Sequence, residues 1–159
     1  MAASLRHIAI TCPDPWKAAE FYMQAFGMKK VGETDSTLAI GVYLSDGVIN
    51  MALLKYKTDE AAGTDRGRDF HGLHHLGFWV DDIKDAGTSV ETAGGTYFMG
   101  EVGDGNTFYE VKYKDPNGVI FDITANGWGG ASKDGSRKDK APPLRHEDLV
   151  ADRSLLEKV

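Results

Sequence analysis

Cysteine and long apolar stretches are scarce in this chain of 159 residues, and basic residues are fewer than acidic ones. The single cysteine, Cys12, cannot form an internal disulfide and is typical of a protein from a reducing compartment, so we expect a cytoplasmic location. Acidic residues outnumber basic ones by 24 to 18, and the net charge of −6 argues against a nucleic-acid partner. No apolar run reaches the roughly 18 residues of a membrane span, and the first residues lack the layout of a signal peptide. We therefore expect neither a membrane nor a nucleic acid as a partner.

The chain does contain an internal repeat. The stretch LRHIAITCPD at residues 5–14 reads like LHHLGFWVDD at residues 73–82, with every matched residue 68 positions apart. His7 thus matches His75, and the same offset continues through the following helix to later glycines. Matches that extend across a strand and a helix favour duplication of one folded unit.

Each copy predicts the same order of elements. A strand with alternating apolar residues leads to a helix that begins after a capping aspartate, and three probable strands follow. These strands are expected near residues 29–33, 38–44 and 48–56 in the first copy, and near 96–101, 107–113 and 119–124 in the second. The fold class is therefore α+β, with two tandem β-α-β-β-β modules. Their open faces would form a cup-like trough of mixed β-sheet, with the helices outside.

The composition suggests four segments. Residues 1–56 form the first module and residues 73–125 the second. Residues 57–72 are polar and interrupted by glycine, as expected of a linker that could also close as a lid. Residues 126–159 are rich in glycine and charge, which predicts an extended C-terminal tail with a short helix at 146–158.

Strand alternation predicts which way the histidines face. In the first copy Ile8 and Ile10 form the stripe that must pack against the helix, so His7 faces the open trough. The same argument places His75 in the trough and turns its neighbour His74 away, as a residue that is not a ligand. Two histidines at equivalent positions of a duplicated strand should lie close together.

Asp122 is the third residue expected in the trough. It lies between two apolar residues of the final strand, GVIFDIT, which should face the helix. A buried carboxylate is costly unless it is paired or coordinated. Two imidazoles and one carboxylate with open positions are the arrangement of non-haem Fe(II) sites, although the same ligands also suit Zn, Mn, Ni or Co. A plain hydrogen bond or ion pair to Asp122 is the alternative.

Together these features resemble the vicinal oxygen chelate superfamily over about residues 4–125. The resemblance rests on the duplicated unit, the histidine on each first strand and the D-P-N-G turn at residues 115–118, which leads to a strand bearing a carboxylate. That superfamily includes glyoxalase I, extradiol ring-cleaving dioxygenases, methylmalonyl-CoA epimerase, and fosfomycin and bleomycin resistance proteins. The resemblance implies a divalent metal held by His7, His75, Asp122 and one residue on the last strand of the first module.

That fourth position departs from the pattern of glyoxalase I, which has Glu or Gln there. Alignment with the family places Ala52 at this position, internal alignment places Met51 there, and Asn50 offers only an amide. A site of three ligands looks like that of the extradiol dioxygenases, although their carboxylate is usually Glu instead of Asp122. The resemblance therefore favours Fe(II) and a ring-cleaving dioxygenase whose small substrate binds the metal through two oxygens. A glyoxalase-like lyase, isomerase or epimerase and a binding protein of the resistance type are the alternatives.

A glyoxalase-type reaction also needs a base, which Ala52 or Met51 cannot supply. Glu110 and Tyr113, on the penultimate strand, are the expected catalytic residues. Glu110 is the candidate base, with a solvated strand residue as the alternative. Tyr113 would donate a hydrogen bond to the substrate or to a metal-bound water, with packing as the alternative. Trp79 and Phe108 could line the trough. We expect a homodimer, and the sequence allows the trough to form within one chain or between two.

Overall fold

The computed structural model of the chain describes residues 2–101 and 109–137. Within them the elements follow the order β1 (Ala3–Thr11), α1 (Pro15–Phe26), β2 (Lys29–Asp35), β3 (Ala39–Ser45), β4 (Asn50–Tyr56), α2 (Asp59–Ala62), β5 (Gly72–Val80), α3 (Ile83–Thr92), β6 (Thr96–Met99), β7 (Val111–Lys114) and β8 (Ile120–Thr124). The expected strand 107–113 is thus observed only from Val111, and its start, with Phe108, lies outside the described residues.

The strands form one mixed sheet in the order β2-β3-β4-β1-β5-β8-β7-β6. Strand β1 runs parallel to β4, and β5 runs parallel to β8, so the two modules repeat the same pairing. They meet where β1 and β5 pair in antiparallel fashion. The predicted α+β fold with two tandem modules is confirmed, and the two first strands lie side by side within a single chain.

Capping residues fix the start of each long helix. The Asp14 side chain accepts hydrogen bonds from the backbone N–H groups of Trp16 and Lys17, and Asp82 caps α3 in the same way. Gly27 ends α1 in the left-handed conformation, with a φ of 65°, which is accessible to glycine without steric cost. The duplicated aspartates therefore have the structural role that the sequence predicts.

The sheet buries apolar side chains on both faces. On the outer face, α1 covers Val42, Leu44 and Leu53, and α3 covers a second cluster around Val80 and Ile123. On the trough face, a third cluster contains Ala9, Ala52, Leu54, Tyr56, Ala61 and Ala62. The last two belong to α2, a short helix inside the segment predicted as a linker, so this segment contributes to the trough wall.

Residues 126–137 pack across the first module. Ser45 Oγ donates a hydrogen bond of 2.8 Å to the Gly130 carbonyl, and Arg6 Nε donates one of 2.6 Å to the Ser132 carbonyl. The helix expected at residues 146–158 lies outside the described residues. In the part of the chain that the structure describes, no helix combines the length and the apolar character needed to cross a membrane.

Candidate metal centre

His7, His75 and Asp122 converge on one point of the trough floor. Each offers one ligand atom, and these atoms all lie within 4.8 Å of one another. The side chains are buried, with 3%, 3% and 0% exposure respectively. The structure thus brings together, within one chain, the three residues that the sequence singles out.

Gly77 makes room for this convergence. In the sheet it lies opposite His7 on one side and opposite Asp122 on the other. A Cβ at Gly77 would lie 2.7 Å from the His7 Cβ and 2.8 Å from the ring of Trp128, closer than side-chain carbons approach. The absence of a side chain at the meeting point of the modules therefore lets the ligand residues approach each other.

Asn50 fixes the proton on His7. Its Nδ2 donates a hydrogen bond of 2.8 Å to the Gly129 carbonyl, so its Oδ1 faces the His7 ring and accepts a bond of 2.8 Å from Nδ1–H. The Nε2 lone pair of His7 is then free for a metal. Asn50, which the sequence offered only as a weak ligand, thus contacts the ligand residue.

His74 contacts His75, contrary to the prediction that it faces away. The pairing of β1 with β5 shifts register between Ala9 and Ile10, which lie opposite His75 and Leu73 respectively. His74 is the extra residue of this β-bulge, and bulges redirect side chains. Its Nδ1 lies 2.8 Å from Nδ1 of His75. The prediction was wrong because it assumed an uninterrupted strand.

Lys112 is the residue of the site that sequence reasoning missed. Its Nζ donates a hydrogen bond of 2.6 Å to Asp122 Oδ2, and the two residues lie directly opposite each other on β7 and β8. Burial lowers the pKa of Lys112, but the carboxylates of Asp122 and Glu110 outweigh this effect and hold it above its usual value. Strand alternation could have indicated Lys112, because residues two positions apart share a face of the sheet and Glu110 was already expected in the trough.

The donor set fits a divalent cation. Among the described residues, Asp122 Oδ1 is a buried oxygen with no hydrogen-bond donor, and His75 Nε2 lies 3.2 Å from Oδ2 of the same carboxylate. Metal–ligand bonds of about 2.1 Å place neighbouring ligand atoms about 3 Å apart, so this spacing suits two ligands of one ion. Burial lowers the pKa of His7 to about 4 and that of His75 well below its usual value. Neutral imidazoles of this kind are the form that binds metals.

Glu110 reaches the same floor without belonging to the ligand set. Trp128 Nε1 donates a hydrogen bond of 3.2 Å to Glu110 Oε2, and the Trp128 ring stacks on His7 at a centroid distance of 4.8 Å. Burial raises the pKa of Glu110, and the nearby Asp122 carboxylate adds to this effect, whereas Lys112 opposes it. A carboxylate of raised basicity therefore lies beside the candidate ligands.

Tyr113 does not reach the site. It lies three positions after Glu110, and residues an odd number apart in a strand face opposite sides of the sheet. Tyr113 instead packs on the outer face with Phe121, its hydroxyl next to Gly87 of α3. Trp79 is not among the residues that line the cavity over the candidate ligands, and its ring packs against Gly127. The structure thus leaves Glu110 as the expected catalytic residue that lies at the centre.

A cavity of about 330 Å³ opens above this floor. Ala9 and Gly77 are equivalent in the repeat, and they lie opposite Ala52 and Asp122 respectively. Ala52 therefore occupies the position equivalent to Asp122. Met51 packs on the α1 side of the sheet instead. The small Ala52 side chain leaves this part of the cavity open. The apolar walls include Val31, Leu38, Ala39, Leu54, Tyr56, Ala61 and Met99.

The chain is similar to known proteins in sequence pattern and in fold. Residues 4–123 match the model of the Glyoxalase/Bleomycin resistance protein/Dioxygenase superfamily. A comparison with curated proteins gives no match.

Solved structures of similar fold include hypothetical protein BH1468 from Bacillus halodurans C-125, at 19% identity and a TM-score of 0.63, covering 77% of this chain and 94% of that one. A methylmalonyl-CoA epimerase in complex with methylmalonyl-CoA and NH4+ has 18% identity and a TM-score of 0.64, with coverage of 77% and 94%. Methylmalonyl-CoA epimerase from Mycobacterium tuberculosis has 21% identity and a TM-score of 0.59, with coverage of 75% and 85%. At these identities the likeness shows the fold.

Proposed function

Because this chain belongs to the Glyoxalase/Bleomycin resistance protein/Dioxygenase superfamily, we propose that it is a metal-dependent lyase, isomerase or epimerase. It would move a proton on a small substrate that binds through two neighbouring oxygens. One observation carries this proposal above the others: Glu110, a carboxylate outside the ligand set, lines the same cavity as His7 and His75. A base at this place is what proton transfer next to a carbonyl requires.

Different residues would bind the metal and transfer the proton. His7, His75 and Asp122 would hold a divalent cation, whose charge polarises the substrate oxygens and acidifies a neighbouring C–H bond. Glu110 accepts the proton at its carboxylate and returns it, to the same or another carbon, while the Trp128 N–H keeps the carboxylate oriented. The mostly apolar walls lower the polarity around these groups, which strengthens their electrostatic interactions. No redox change occurs, so Zn, Mn, Ni, Co or Fe(II) would each suit.

The extradiol dioxygenase is the second candidate. It is favoured by the count of three ligands, because Ala52 at the fourth position leaves neighbouring coordination positions open for a bidentate substrate and O₂. The Fe(II) favoured by the sequence belongs to this candidate. A binding protein of the resistance type is the third, for which the apolar cavity alone would suffice.

Purified protein loaded with Zn(II), Ni(II), Co(II), Mn(II) or anaerobic Fe(II) should bind one ion per chain by elemental analysis. In D₂O, loaded protein should exchange a proton next to a carbonyl in one of a panel of test compounds followed by NMR. This panel should contain hydroxyketones, 2-oxo acid adducts and methylmalonyl-CoA. Glu110→Gln should slow this exchange by about 100-fold or more and retain the metal, whereas His75→Ala should lose the metal.

Two outcomes would contradict the proposal. Oxygen uptake with catechols by the Fe(II) protein, without proton exchange in any compound, would establish the dioxygenase instead. If the protein took up none of the five metals in stoichiometric amount, the third candidate, a binding protein of the resistance type, would be favoured instead. Glu110→Asp is the matched control, because it retains a carboxylate, although withdrawn by the length of one methylene, and should retain part of the exchange rate.

A further inference from the structure

We propose that His74 is a positioning residue that selects the tautomer of His75 and so keeps Nε2 of His75 open for the cation. This inference rests on the proposed metal site and deepens it. Among the described residues, His74 is the one buried histidine outside the ligand set. The hydrogen bonds of His74 determine which ring nitrogen of His75 carries the proton.

The argument begins at the Ala62 carbonyl. His74 Nε2 lies 2.7 Å from this oxygen, which can only accept, so Nε2 carries the proton. The His74 ring is buried and lies beside Tyr56 at a centroid distance of 4.8 Å, in surroundings that favour the neutral form. A neutral ring protonated at Nε2 has its lone pair at Nδ1.

That lone pair faces His75. The two Nδ1 atoms are 2.8 Å apart, and a hydrogen bond between them needs one proton. Since His74 Nδ1 is the acceptor, His75 carries its proton on Nδ1 and its lone pair on Nε2. The Nε2 atom lies 3.2 Å from Asp122 Oδ2, so it is the nitrogen of His75 that faces another residue of the candidate ligand set.

The hydrogen bond to His74 thereby favours the His75 tautomer that Asp122 disfavours. A carboxylate oxygen beside His75 Nε2 favours a proton on that nitrogen, because Nε2–H could then donate to Oδ2. That tautomer would occupy the lone pair that a metal needs. The hydrogen bond to His74 moves the proton to the other side of the ring and keeps Nε2 available.

The inter-module segment holds His74 in place from two directions. Ala62, which supplies the carbonyl, is the last residue of α2 and is fully buried. Arg66 Nη1 donates hydrogen bonds of 2.9 Å to the carbonyls of Leu73 and His74, on the bulge itself. The segment predicted as a linker therefore anchors the residue that orients a metal ligand.

Nitrogen NMR of the metal-free protein tests this inference without activity. Long-range proton–nitrogen correlations should show the Nδ1–H tautomer for His75 in the unaltered protein and the Nε2–H tautomer in His74→Leu. His74→Asn is the matched control, because its side-chain oxygen takes the place of Nδ1 and should restore the Nδ1–H tautomer of His75.

Metal affinity provides the second measurement. Co(II) titration followed by its visible spectrum should show binding about 10–100-fold weaker for His74→Leu, the usual cost of losing a partner of a metal ligand. His74→Asn should bind Co(II) nearly as tightly as the unaltered protein. An Nε2–H tautomer of His75 in the unaltered protein would overturn the inference, even if His74→Leu does not fold. Equal Co(II) affinity and unchanged tautomer in a folded His74→Leu would do the same, whereas absence of metal binding with the expected tautomers would refute only the proposed function.

Discussion

Lys112 carries a positive charge into a cavity floor that already contains two carboxylates and two imidazoles. Its ammonium group holds one oxygen of Asp122 and leaves the other without a donor among the described residues. The two oxygens of one carboxylate thus have different surroundings, because Oδ2 lies near both Lys112 Nζ and His75 Nε2, whereas Oδ1 has no donor among the described residues. Asp122 has no exposed surface, so Lys112 is also the group that makes its charge tolerable in the metal-free protein.

Replacement of Lys112 by Met should destabilise the metal-free protein. Loss of one partner of a buried ion pair leaves an uncompensated charge and costs about 3–5 kcal/mol of unfolding free energy. Urea denaturation in the presence of a chelator would measure this change. The double variant Lys112→Met/Asp122→Asn removes both charges and should recover most of the loss. The single variant Asp122→Asn completes the comparison. If the double variant lost as much unfolding free energy as Lys112→Met and Asp122→Asn lose together, this account of the ion pair would be contradicted.

Strand β5 combines two local features that shape the site, a bulge at His74 and a glycine at position 77. The sequence predicts the strand and the inward direction of His75, because these follow from the repeat and from alternation, but it leaves open whether the two modules meet within one chain or between two. It does not predict the bulge, since an extra residue leaves no mark in the pattern of apolar positions. Lys112 and Tyr113 show the same limit: the sheet face of each follows from alternation, but their contacts depend on which strands pair and in which register.

Substitution of Gly77 by Ala should therefore disturb the centre of the sheet. The added Cβ would lie 2.7 Å from the His7 Cβ, and such overpacking typically costs about 1–3 kcal/mol. Gly32→Ala, in strand β2, is the matched control, because its Cβ would meet Tyr43 at an ordinary 3.4 Å. Denaturant titration of both variants tests the expectation. If Gly77→Ala and Gly32→Ala were equally stable, the meeting point of the modules could accommodate an added Cβ without strain, contrary to this expectation.

The whole molecule buries three histidines, His7, His74 and His75, at the seam between its modules, and burial lowers the pKa of each. This has a consequence for the dependence of stability on pH. In the unfolded chain a histidine takes up a proton near pH 6.5. In the folded protein burial lowers the pKa of His7 to about 4 and also lowers that of His75. The unfolded state thus binds more protons between these values, so stability must fall as the pH falls through this window.

Metal-free protein should accordingly lose unfolding free energy from pH 6.5 down to about 4. Glu110, whose pKa is raised, opposes part of this loss. Thermal unfolding at several pH values measures the slope, and His7→Gln should make it shallower. A slope identical in the variant and the unaltered protein would show that His7 does not titrate as its burial requires.

The match to the superfamily ends at residue 123, but residues beyond it contact the candidate metal centre. Trp128 covers His7, and the carbonyl of Gly129 orients the amide that directs the His7 proton. A shortened protein cut at this C-terminal family boundary would retain seven strands in full and β8 without its last residue, Thr124, yet lose one wall of its cavity and the restraint on one candidate ligand. The borders by which this family is recognised are therefore unsuitable as cloning borders for functional work on this chain.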